Sequence, residues 1–122
     1  MQTTKVLAAL DDLFFTVKIN EAAKRAGVAI QFLKSATDVL EQAKSNPSLI
    51  ILDLNCQAID GLKLIGELKA NEGTKGISLI GFLSHVQGEL KVLAQNAGCD
   101  MVLPRSAFSQ NLPQILKRHS SH

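Results

Sequence analysis

The sequence predicts an α/β fold, a three-layer α/β/α sandwich around a five-stranded parallel sheet with strand order 2-1-3-4-5. Short apolar runs alternate with segments of helical periodicity from one end of the chain to the other. The runs are continuous rather than alternating, which is typical of strands that are covered on both faces. The links between segments are short, and this favours parallel strands joined by right-handed crossovers.

The elements follow one another in a regular order. Val6–Leu10 is a buried strand that stops at two aspartates, and Gly27 is placed to end the helix that follows. Ser35 or Thr37 can cap the second helix. The remaining segments are a helix over Leu13–Ala26, a strand over Ala29–Leu33, a strand over Leu49–Leu52, a helix marked by Leu62, Ile65 and Leu68, a strand over Ile77–Phe82, a helix over Glu89–Ala97, a strand over Met101–Leu103 and a helix lined by Phe108, Leu112, Ile115 and Leu116.

The bulk composition suits one domain over residues 1–122, with a core from about residue 4 to residue 118. With 46% hydrophobic residues, the chain is expected to fold without disulfides or a structural metal. The net charge of +2 is mixed along the chain, so we expect no nucleic-acid partner. No apolar run is long enough for a signal peptide or a membrane span. The two cysteines, Cys56 and Cys99, are expected to be free thiols in a reducing, cytoplasmic setting.

Acidic residues follow the first and third strands. In a parallel sheet of this order, ligands bind outside the carboxyl ends of the strands, at the point between strands 1 and 3. Asp11, Asp12 and Asp53 are therefore expected to converge on one cleft. Clustered carboxylates favour a cation between them, and Mg²⁺ suits such a site. A purely structural origin stays open, because strand ends and helix N-termini often carry acids.

The segment Pro47–Leu68, PSLIILDLNCQAIDGLKLIGEL, resembles the receiver domains of bacterial response regulators, the CheY-like family. The resemblance extends over essentially the whole chain. It implies that Asp53 is the phospho-acceptor and that the backbone carbonyl of Asn55 ligates the metal. It also implies that Asp60-Gly61 ends the loop and opens the next helix.

The remaining site positions depart from the family pattern. Leu10 stands where the family has the first of two acids and Asp11 matches the second, so Asp11, Asp53 and Asn55 are expected to bind Mg²⁺ weakly. Leu83 stands where the family has a Thr or Ser, and a small shift would bring the hydroxyl of Ser84 to that place instead.

Arg105 stands at the position of a family Lys, and Ser106 follows it where the family has Pro. Arg105 either pairs with Asp53 and holds the unphosphorylated state shut, clamps a phosphoryl group, or lies in solvent. The family's aromatic switch residue corresponds to Val102, so the usual route of signal transmission looks absent. His85, near the cleft, is a proton carrier, a metal ligand or an ordinary loop residue.

Two hypotheses follow from the resemblance. In the first, the chain is a working receiver whose Asp53 takes phosphate from a histidine kinase or a phosphotransfer protein, with no enzymatic activity beyond self-phosphorylation. In the second, it is an atypical pseudo-receiver that binds partners without phosphorylation. In either case we expect a monomer or weak homodimer that acts on a downstream protein through the face formed by the fourth helix, fifth strand and fifth helix.

Overall fold

The computed structural model describes residues 5–84 and 88–119 of the chain. Strands and helices alternate throughout this part, as the sequence predicts. The elements are β1 (Lys5–Ala9), α1 (Leu13–Ala26), β2 (Ala29–Leu33), α2 (Ala36–Ala43), β3 (Leu49–Asp53), α3 (Gly61–Ala70), β4 (Ser78–Leu83), α4 (Gly88–Ala97), β5 (Met101–Pro104) and α5 (Arg105–Arg118).

The strands form one parallel sheet in the order β2-β1-β3-β4-β5, so the predicted fold class and topology are confirmed. Four of the five strands differ from the prediction by one residue at one or both ends, and β3 ends at Asp53 rather than Leu52. β1 ends at Ala9 rather than Leu10, although the Leu10 N–H still donates to the Leu33 carbonyl at 3.2 Å. β4 is shifted to Ser78–Leu83 and β5 extends to Pro104, because strand pairing continues past the apolar runs.

The sheet has an apolar core on each face. The face covered by α1 and α5 holds one cluster, and the face covered by α2, α3 and α4 holds the other. Every residue of β3 is buried, as expected for the middle strand of a sandwich.

Side-chain caps fix where several helices begin. Asp12, Ser35 and Asp60 each accept a hydrogen bond from the backbone N–H three residues further on, at the starts of α1, α2 and α3. Ser35 is therefore the cap of α2, rather than Thr37. Gly27 ends α1 with a φ of +71°, in the left-handed region that glycine adopts without strain. The cap at Asp12 also places an acid at the carboxyl edge of the sheet.

Candidate functional site

The carboxyl ends of β1 and β3 lie side by side at the point where the strand order reverses. Asp53 is the last residue of β3, and 3% of its side chain is exposed. Asp11 is exposed and Asp12 is half-buried in the link between β1 and α1. Both are close enough for their charges to raise the proton affinity of Asp53. The structure thus brings the three acids together at one cleft.

Arg105 joins two of these acids. Its Nη1 atom donates to Asp12 Oδ2 at 3.1 Å, and its Nη2 atom lies 3.4 Å from Asp53 Oδ2 and 3.5 Å from Asp53 Oδ1. Because the contact with Asp12 is the shorter one, Asp12 anchors the guanidinium and Asp53 is its second partner. Of the three placements that the sequence left open for Arg105, this structure has the side chain paired with Asp53.

Two aromatic rings lie against the Arg105 guanidinium. The Arg105 guanidinium carbon lies 5.1 Å from the ring centroid of Phe15 and 5.5 Å from that of Phe82. Such cation–π contacts are attractive within about 6 Å. Arg105 is also the first residue of α5, where its positive charge opposes the helix dipole. The two carboxylates offset that unfavourable placement.

The two acids that pair with Arg105 respond to it differently. Burial raises the pKa of Asp53 above its ordinary value, although the Asn55 N–H and the charge of Arg105 oppose the rise. The hydrogen bond from the Phe15 N–H, helped by Arg105, lowers the pKa of Asp12. The contrast follows from burial, because desolvation disfavours the ionised form of the buried Asp53 more than that of the partly exposed Asp12.

Asn55 organises the loop that follows Asp53. Its backbone N–H donates to Asp53 Oδ1 at 2.9 Å. Its side-chain oxygen accepts from the Ser84 N–H at 2.9 Å and from the Ser84 hydroxyl at 3.3 Å. The structure places the Ser84 hydroxyl against the Asn55 side-chain oxygen, and the role of Ser84 as a phosphoryl ligand stays a prediction. Sequence reasoning considered the Asn55 carbonyl and missed this use of its side chain.

Three of the positions that depart from the family pattern lie in the core. Leu10, Leu83 and Val102 are 1%, 3% and 4% exposed. Leu83 and Val102 belong to the cluster under α2, α3 and α4, whereas Leu10 belongs to the cluster under α1 and α5. Apolar packing therefore occupies both positions next to Asp53 where the resemblance leads one to expect polar groups.

Known structures share this architecture at low sequence identity. A putative response regulator from Chloroflexus aurantiacus superposes with a TM-score of 0.84 at 21% identity, over 96% of this chain and 97% of that one. The chemotaxis response regulator CheY4 of Vibrio cholerae gives a TM-score of 0.81 at 19% identity, over 96% and 98% of the two chains. The chain has the receiver fold. No family model matches it, and no curated protein matches it significantly in sequence.

A third similar structure bears on metal binding. The receiver domain of a Pseudomonas aeruginosa sensor histidine kinase was solved with a magnesium ion coordinated in its active-site cleft. It gives a TM-score of 0.81 at 18% identity, over 97% of this chain and 98% of that one. In residues 5–84 and 88–119 of the present chain, no group of three or more His, Cys, Asp or Glu side chains could hold a metal. Asp12 caps α1 and pairs with Arg105, Asp53 pairs with Arg105 as well, and Asp11 is exposed at the same cleft.

The thiols of this receiver fold are buried and free. Burial raises the pKa of both Cys56 and Cys99, so neither has the character of a reactive thiolate. Asp11 also forms a hydrogen bond with the Cys56 side chain. His85, the histidine considered near the cleft, lies outside the described residues. Among the described residues, no helix is long and apolar enough to cross a bilayer.

Two groups of large apolar side chains are exposed on the receiver fold. The group on α1 begins directly after the Asp12 cap, next to the cleft, and sequence reasoning missed it. The sequence could have indicated this group, because its residues are apolar but lie outside the buried face of α1 in the helical periodicity. The exposed residues are Leu13, Phe14 and Val17 on α1, with Val92, Leu93 and Met101 on α4 and β5.

Proposed function

We propose that the chain is a receiver-type module of two-component phosphorelay signalling that accepts a phosphoryl group on Asp53. The observation that carries the proposal is the placement of the Asp53 carboxylate. It ends the middle strand at the point of strand-order reversal, beside a fixed cation and a second acid. A carboxylate in such surroundings has the chemistry of a phosphoryl acceptor.

The transfer requires an oxygen of Asp53 to form a bond to phosphorus as the phosphorus–nitrogen bond of a phosphohistidine breaks. The electron pair of that bond stays on the imidazole nitrogen of the donor. Asp53 Oδ1 is engaged by the Asn55 N–H, which leaves Oδ2 as the attacking atom. Arg105 lies against that oxygen and neutralises charge on the acceptor. A weakly bound Mg²⁺ ion, held by Asp11, Asp53 and the Asn55 carbonyl, would supply the same neutralisation.

Partners enter the proposal at two places. The donor is a histidine kinase or a phosphotransfer protein. The output passes to a downstream protein through the face of α4, β5 and α5, and the exposed Val92, Leu93 and Met101 on that face support this. The proposal includes a cytoplasmic setting, which suits free buried thiols, and a monomer or weak homodimer.

A second candidate is a pseudo-receiver that binds partners without phosphorylation. The observation that favours it is the apolar replacement around Asp53. Leu10 removes an acid from the metal site, Leu83 offers no hydroxyl to a phosphoryl group, and both are packed in the core. In this case the Arg105–Asp53 pair is a permanent structural feature.

Acetyl phosphate with Mg²⁺, followed by intact mass measurement, separates the two candidates. We expect the wild-type chain to gain the mass of one phosphoryl group and Asp53→Asn to gain none. Asp60→Asn is the matched control, since it makes the same change at an exposed helix cap where Asn also caps, and it should be labelled like the wild type. Absence of labelling at every Mg²⁺ concentration would exclude the first candidate and leave the binding module.

A further inference from the structure

Arg105 is held in place from three directions. Asp12 and Asp53 bind its two terminal nitrogens, and the rings of Phe15 and Phe82 lie under its plane. An arginine fork can bridge two carboxylates in this way, while the point charge of a lysine cannot span both equally well. The guanidinium therefore occupies a defined position rather than sampling solvent.

That position has the electrostatic character of a cation site. The cleft carries the acids Asp11, Asp12 and Asp53, and the guanidinium is the positive group that the described contacts place between two of them. At the start of α5, a positive side chain is disfavoured by the helix dipole unless acids compensate for it. Leu10, where a further acid would strengthen a divalent site, is buried and apolar.

We propose that the Arg105 guanidinium is a built-in cation that takes over the charge-neutralising role of a divalent metal ion at Asp53. A metal ion and the guanidinium compete for the same carboxylate, because Arg105 lies against both oxygens of Asp53 and the two positive charges repel each other. The competition is reversible. The Arg105 side chain is 30% exposed and keeps Asp12 as an anchor, so it can leave Asp53 without losing every partner.

Titration with Mn²⁺, followed by the electron paramagnetic resonance signal of the free ion, tests the proposal on the full chain. We expect Arg105→Gln to bind Mn²⁺ at least about ten-fold more tightly than the wild type, because a fixed positive charge is removed from a partly buried site. Arg25→Gln is the matched control. It removes the same charge from an exposed position in the last turn of α1, and it should bind Mn²⁺ as the wild type does. Equal Mn²⁺ affinity of Arg105→Gln and the wild type would overturn the proposal.

A second measurement on the wild type does not depend on how the variant folds. In nitrogen-15 NMR spectra recorded during a Mg²⁺ titration, the side-chain Nε–H signal of Arg105 should shift in step with the backbone amides of Asp53 and Asn55. If those amides shift while the Arg105 signal stays unchanged, both cations occupy the site at once and the competition does not exist.

This inference rests on the proposed function and concerns the same site, but its test is independent of the phosphorylation test. Metal binding is measured with no phosphoryl donor present. Phosphorylation of Asp53 can therefore be demonstrated while the cation competition fails. Conversely, the competition can be found in a chain that acetyl phosphate never labels.

Discussion

The two faces of the sheet below the cleft are built from different kinds of side chain. On the α1/α5 face, the rings of Phe82 and Phe108 stack with centroids 4.5 Å apart, and Phe15 stacks on Phe82 at 5.1 Å. On the opposite face, the corresponding depth is filled by aliphatic residues, among them Leu83 and Val102.

The difference shows which face is in contact with the charged site. Arg105 lies over Phe82, and Phe82 stacks on Phe108 of α5, so side-chain contacts run without a break from the cleft to that helix. On the other face, the side chain of Leu83 is apolar and offers neither a donor nor an acceptor to the charged groups of the cleft. On the aromatic face, side-chain contacts therefore connect the charged cleft with α5, whereas on the aliphatic face only apolar packing lies below the cleft.

The largest expected effect comes from removing the inner ring of the aromatic face. Phe108 is fully buried, and we expect Phe108→Ala to lower the free energy of unfolding by about 3–5 kcal/mol, measured by urea denaturation. Phe14→Ala is the matched control. It removes the same ring from a site that is 67% exposed, where the loss should stay within about 0.5 kcal/mol. A loss below about 1 kcal/mol for Phe108→Ala would mean that the stack is not part of the core.

Much of the fold below the cleft could be predicted from the sequence, since it depends on local patterns. The continuous run Leu49–Leu52 predicts a strand covered on both faces, and Asp53 directly after it predicts an acid at the cleft. The phenylalanine stack is different. Its rings come from α1, β4 and α5, and the sequence alone does not fix which faces of these elements meet.

The direction of Arg105 could not be derived from the sequence. A long flexible side chain can lie in solvent or fold back, and the choice depends on acids and rings contributed by distant parts of the chain. Here Asp12 lies 93 positions away and Asp53 lies 52 positions away. The use of the Asn55 side chain by Ser84 is of the same kind, because it depends on the close approach of the loops after β3 and β4.

A smaller effect is expected from placing a hydroxyl on the aliphatic face. Leu83→Thr and Leu83→Val have nearly the same shape and differ by a hydroxyl in place of a methyl group. If Leu83 faces apolar neighbours, the Thr variant should be less stable than the Val variant by about 1–2 kcal/mol in urea denaturation. Equal stability of the two would show that the hydroxyl finds a polar partner at the cleft, and the contrast between the faces would then be wrong at this position.

The smallest effect, and the one of opposite sign, is expected at Asp53 itself. Burial raises its pKa above the ordinary value of 3.8, so the folded protein holds this proton at pH values where the unfolded chain has released it. Stability contributed by the protonated form is complete below pH 3.8 and is lost as the pH rises through the folded pKa. At pH 7 the ionised carboxylate is thus a net cost.

We therefore expect Asp53→Asn to be more stable than the wild type at pH 7, by less than the difference between the two Leu83 variants. The gain should shrink to zero as the pH falls below 3.8. The Asn55 N–H keeps an oxygen acceptor in the variant, and Arg105 keeps Asp12, so no new unpaired charge is buried. Thermal unfolding at a series of pH values measures the difference. A variant that is less stable than the wild type at pH 7 would mean that Arg105 more than offsets the burial of Asp53, and the ion pair would then rank with the aromatic face as a source of stability.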